Sequence, residues 1–96
     1  MKPAALIRQH RDEILRIARE HGVGSVRVFG SAARGELGPH SDVDFLIEVQ
    51  GPTPPWFPGG LVVELEALLG RPVDVVEASA LRGDLRPTVE SEAISL

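Results

Sequence analysis

An α/β fold, a small mixed sheet with helices packed on one face, is what this sequence predicts. Three observations carry the prediction. Residues 3–21 repeat apolar side chains at helical spacing. Residues 42–49 alternate from one side chain to the next, as a strand does. Glycine and proline then punctuate the chain at short intervals, so helical and extended segments take turns in the order α, β, α, β, α, β, α. With loops this short, some strand pairs need not be parallel, hence the mixed sheet.

The first segment places Leu6, Ile7, His10, Ile14, Ile17 and Ala18 on one side. Arg8, Arg11, Asp12, Arg19 and Glu20 lie on the other, and Gly22 is the stop. Ser25–Phe29 reads as a short strand that ends at Gly30, with Ser31 placed to cap a brief following helix. Asp42–Val49 is the clearest strand: Val43, Phe45, Ile47 and Val49 share one face, and Asp42, Asp44, Leu46 and Glu48 the other. Residues 51–60 hold four prolines and three glycines around Trp56 and Phe57 and read as a loop, its aromatics expected to anchor it on the core, with stacking on a base or contact with a partner as the alternative. Leu61–Leu69 reads as a helix closed by Gly70, Val73–Val76 as the third strand, and residues 81–94 as one or two helical turns broken by Gly83 and Pro87.

The chain has 96 residues, 43% of them apolar, which suits a single domain over residues 1–96. Its net charge of −4 argues against a broad grip on nucleic acid, which needs a basic face. No cysteine is present, so disulfides and thiolate metal sites are excluded. Neither a secretory leader nor a membrane span is legible, and a cytoplasmic location is the expectation.

Aspartate is depleted in strands, yet Asp42, Asp44 and Asp74 all fall in strand contexts. Asp42 and Asp44 are two apart and share a face, while Asp74 points away from the face that Val73 and Val75 bury. If the two strands are neighbours, three carboxylates converge. Two such charges about 5 Å apart repel by about 3 kcal/mol at an effective dielectric near 20. A hard divalent cation, Mg²⁺ for an all-oxygen donor set, relieves that repulsion, and a pair of them can serve both sides of a phosphoryl displacement. Ahead of this strand lies Phe29-Gly30-Ser31-Ala32-Ala33-Arg34-Gly35. There a strand ends at a glycine and a helical turn begins with its amides exposed, a phosphate-binding arrangement. Arg34 is one turn further on, where a guanidinium can reach the same phosphates.

The run Gly30-Ser31-Ala32-Ala33-Arg34-Gly35, followed by Ser41-Asp42-Val43-Asp44-Phe45, resembles the signature of the DNA polymerase beta-like nucleotidyltransferase superfamily. The nearest resemblance is to its minimal branch, the MNT or MntA-like antitoxins, and it extends through Gly70-Arg71-Pro72-Val73-Asp74-Val75-Val76 over nearly the whole chain. The resemblance implies that Asp42 and Asp44 hold Mg²⁺, in two ions, together with a nucleoside triphosphate. Asp74 would complete the metal site and help deprotonate the acceptor. Gly30 and Ser31, joined by Arg34 and Ser41, would hold the nucleotide. The implied reaction moves AMP from ATP to a hydroxyl, with pyrophosphate released. Larger relatives carry a helical acceptor domain for which this chain has no counterpart. The resemblance therefore implies a HEPN-domain toxin as partner, one of its tyrosines being the acceptor and this chain the antitoxin. The alternative is an antitoxin that neutralises its partner by binding alone, without catalysis. His10, His21 and His40 are read as structural or solvent-facing.

Overall fold

The structure, a computed structural model, describes residues 3–96. Helices α1 (Ala5–Gln9) and α2 (Arg11–Glu20) lead into strand β1 (Val23–Phe29), a single 3-10 turn at Gly30–Ala32, and strand β2 (Val43–Val49). Helix α3 (Gly59–Leu69), strand β3 (Val73–Glu77), a second 3-10 turn at Ala78–Ala80, helix α4 (Arg86–Glu92) and strand β4 (Ile94–Ser95) complete the chain.

The sheet runs β3-β2-β1-β4. β1 pairs antiparallel with both β2 and β4, and β2 pairs parallel with β3, so the sheet is mixed as the short loops require. One face carries Val26 and Val28 of β1, Val43, Phe45 and Ile47 of β2, and Val73 of β3, all buried. They pack with Ile7, Ile14, Ile17 and Ala18 of the leading helices and with Leu61, Leu65 and Leu69 of α3. Truncating a side chain as large and as fully buried as Phe45 costs about 3–5 kcal/mol.

Several boundaries differ from the sequence expectation, each for a local reason. The leading helix is broken at His10. The Leu6 carbonyl, which a continuous helix would give to the His10 amide, lies 2.9 Å from His10 Nδ1, and the His10 amide turns to Ile7 O instead. The helix expected after Ser31 is only one 3-10 turn and receives no side-chain cap. Leu46 lies on the face opposite the core and is nevertheless wholly buried, where the turn 78–80 packs on β2 and α4 on β1. Pro87 occupies the first turn of α4, where a missing amide costs nothing, so it starts that helix and does not break it. β4 is two residues long and carries no strand pattern of its own; β1 supplies its partner.

The proline-rich loop departs most. Phe57 packs against the core, but Trp56 is 91% exposed, with its backbone in the left-handed region (φ 66°). The amides of Gln50 and Gly51 bond to Gly22 O, which fixes this loop at the end of the sheet where β1 begins and β2 finishes.

Candidate active site

The opposite end of the sheet gathers the residues singled out above. β1 and β2 run antiparallel, so the end of β1 lies beside the start of β2, with Phe29 paired to Asp44. β2 and β3 run parallel, so both start at this same end, with Asp44 paired to Asp74. Equal register on neighbouring strands puts both carboxylates on one face. Asp42 sits one residue before β2 and is exposed.

Gly30 closes the site from the β1 side. Its φ is +67°, a conformation that favours glycine, and a Cβ placed there would come within 2.7 Å of Asp44 Oδ2. Backbone shape and proximity therefore both demand glycine. The turn it opens is held by Ala33 and Arg34 amides donating to Gly30 O, and by Glu36 N donating to Ser31 O. Ala4 N donates to Ala32 O at 2.8 Å, which ties the start of the chain to the same turn. The first amides of such a turn have no acceptor within it and face outward.

The electrostatics are unfavourable as they stand. The Asp44 carboxyl is pushed above its ordinary range by burial first, then by the negative charge of Asp74 and that of Asp42. All three donors are hard oxygens, the chemistry that suits Mg²⁺. Among the described residues, no three acidic, histidine or cysteine side chains stand close enough to cage a metal. Of the three carboxylates expected to converge, strand register brings Asp44 and Asp74 together, while Asp42 stands outside the strand at the rim. An open carboxylate edge fits an ion that takes its remaining ligands from water and substrate phosphate.

Two expected nucleotide contacts have other partners. Arg34 donates through Nε to Glu36 at 3.1 Å and through Nη1 to Glu92 of α4 at 2.6 Å. Ser41 Oγ accepts from Gly38 N at 3.0 Å, shaping the turn before β2. His40 is exposed in that turn. Trp56 lies beyond the far end of β2, about 17 Å of strand from Asp44, so base stacking by this side chain is not what the fold arranges. Sequence reasoning missed Glu66 and Arg71. Glu66 Oε2 accepts from Val73 N at 3.0 Å and fixes the start of β3. Arg71 Nη1 donates to Gly38 O and Ser41 O. Neither carries a pattern by which spacing alone would single it out.

A family model described as a nucleotidyltransferase domain matches residues 7–96. The chain is similar to a Thermococcus cleftensis protein named protein adenylyltransferase MntA, 35% identical over 92 residues, which cover 94% of this chain and 88% of that one. It is also similar to a Methanocaldococcus jannaschii protein named as a protein adenylyltransferase, 32% identical over 90 residues, covering 94% of this chain and 97% of that one. A solved structure described as a minimal nucleotidyltransferase superposes with a TM-score of 0.83 at 39% identity, over 100% of this chain and 97% of that one. The fold also recurs, at 17% identity and a TM-score of 0.69, in the complex of a tri-AMPylated Shewanella oneidensis HEPN toxin with its MNT antitoxin, over 92% of this chain and 69% of that one.

Proposed function

Because the chain belongs to the nucleotidyltransferase domain family, we propose that it transfers AMP from ATP to a hydroxyl on a HEPN-domain toxin, a tyrosine being the acceptor, and so acts as the antitoxin of that pair. The nucleotidyltransferase domain in this reading spans residues 1–96. The observation that carries the reading is the pairing of Asp44 with Asp74 beside a glycine whose left-handed backbone and closeness to Asp44 Oδ2 disfavour any side chain.

The residues divide the work as follows. Asp42, Asp44 and Asp74 would hold Mg²⁺, in two ions, which when bound would neutralise charge on the triphosphate. Gly30 and Ser31 offer backbone amides and a hydroxyl to the terminal phosphates. Asp74, exposed at the edge of the sheet, would take the acceptor's proton. The acceptor oxygen bonds to the α-phosphorus, the bond from that phosphorus to the bridging oxygen breaks, and pyrophosphate leaves with the electron pair. Positioning and charge neutralisation supply the rate, with no covalent intermediate on the protein. The named relatives support AMP as the group moved, and the toxin complex with the same fold supports the class of partner.

Binding without catalysis is the competing account. The half-buried Asp44 carboxylate beside Asp74 weighs against it, since a surface used only for binding gains nothing from a carboxylate disfavoured by burial and by a neighbouring like charge. The test is incubation with α-labelled ATP, Mg²⁺ and the cognate toxin. Label should appear on the toxin and should be lost with Asp42→Asn/Asp44→Asn. Unlabelled toxin, or label that survives the double substitution, would defeat the catalytic reading.

A further inference from the structure

We propose that Arg71 is a positioning residue that sets Asp42 in the site by clamping the turn before β2 onto the start of β3. The inference rests on the reading of Asp42 as a metal-holding carboxylate.

Asp42 is the least supported of the three aspartates. Asp44 and Asp74 sit inside strands whose ladder bonds hold them, whereas Asp42 precedes β2 and is exposed. Its place is therefore set by the segment 38–41. That segment is a tight turn in which Ser41 N donates to Gly38 O at 3.3 Å and Gly38 N to Ser41 Oγ at 3.0 Å. A self-contained turn can still pivot on the body of the protein. Arg71 prevents that: Nη1 donates to Gly38 O at 2.9 Å and to Ser41 O at 3.2 Å, gripping both ends of the turn from the α3–β3 connection. One residue on, Val43 N donates to Pro72 O at 3.0 Å. Arg71 and Pro72 together thus bracket Asp42 on both sides.

The base of the clamp is itself fixed. Gly70 ends α3 in the left-handed conformation with its amide on Glu66 O, and the Glu66 carboxylate takes Val73 N. Arg71 accordingly leaves a rigid corner. Its Nε is buried with no acceptor, and an unmade bond of that kind is itself a cost. A side chain kept only to fill space would serve better without it. A methionine of similar length removes both the unpaired donor and the clamp, so it separates positioning from packing.

Three full-length proteins decide the question: wild type, Arg71→Met and Arg71→Lys. The probes are amide hydrogen exchange and titration with Mn²⁺ in the presence of a non-hydrolysable ATP analogue, followed by electron paramagnetic resonance. In Arg71→Met the amides of Ser41 and Val43 should exchange about tenfold faster, those of the β1–β2 ladder should be unchanged, and Mn²⁺ affinity should fall about tenfold, the size seen for groups that orient metal ligands. Arg71→Lys, which keeps one donor, should recover part of both losses. Unchanged exchange at Ser41 and Val43, or faster exchange with Mn²⁺ affinity within twofold of wild type, overturns the clamp. A general acceleration across β1 and β2 marks Arg71 as merely structural and overturns it too. Failure of the wild type to bind Mn²⁺ is a different result: it removes the functional reading and this inference with it.

Discussion

The two ends of the sheet are built on opposite terms. At one end, strand register fixes Asp44 and Asp74 beside Gly30, and the Asp44 carboxyl bears the cost of burial and of neighbouring like charge. At the other, the 51–58 loop holds no charged residue, and of its two aromatics Phe57 packs on the core while Trp56 stands almost fully in solvent. Strain at a rigid position is what a site for a charged ligand needs, because rigidity stops the carboxylates from relaxing apart.

That contrast yields graded expectations. The largest effect belongs to Asp44→Asn, which should lower AMP transfer on the order of 10³-fold. Next comes Gly30→Ala. Its Cβ meets Asp44 Oδ2 in a left-handed backbone, so transfer should fall about 100-fold and stability by about 1–3 kcal/mol by urea denaturation. A smaller effect concerns pH. The folded-state pKa of Asp44 lies above its unfolded value, so the native state binds the extra proton between the two. Stability of the metal-free protein should therefore rise as pH falls from neutral through the folded pKa, and level off below the ordinary carboxylate range. Asp44→Asn should lack that segment of the pH profile. The smallest effect is assigned to the other end: Trp56→Ala should change stability by no more than about 0.5 kcal/mol and leave ATP affinity unaltered. A large loss of affinity there would erase the distinction between the two ends.

The same contrast explains what was legible in advance. Strand parity has period two, so the sequence put Asp44 and Asp74 opposite their strands' apolar faces, while the adjacency and register that pair them come only from the fold. The Gly30 turn was legible because few residues other than glycine accept that backbone. Trp56 was misjudged as an anchor because composition reveals a loop but not which of two adjacent aromatics turns inward; Phe57 does. Arg34 looked like a phosphate ligand from spacing, but Glu92, 58 residues later, is brought to it only by α4. Arg71 escaped notice for the same reason, since its acceptors are carbonyls some 30 residues away and backbone carbonyls leave no trace in sequence. β4 was illegible because two residues form a strand only when β1 offers an edge.

Under the proposed function, a bound cation relieves the unfavourable charge at the carboxylate edge. Thermal unfolding of wild type and Asp44→Asn, each with and without Mg²⁺ and a non-hydrolysable ATP analogue, tests it most directly. Without ligand the variant should melt higher than the wild type, because the neutral amide escapes the burial and like-charge cost borne by the Asp44 carboxylate. With ligand the wild type should gain and the variant should not. A variant that melts lower than the wild type without ligand, or gains equally with it, would contradict the account.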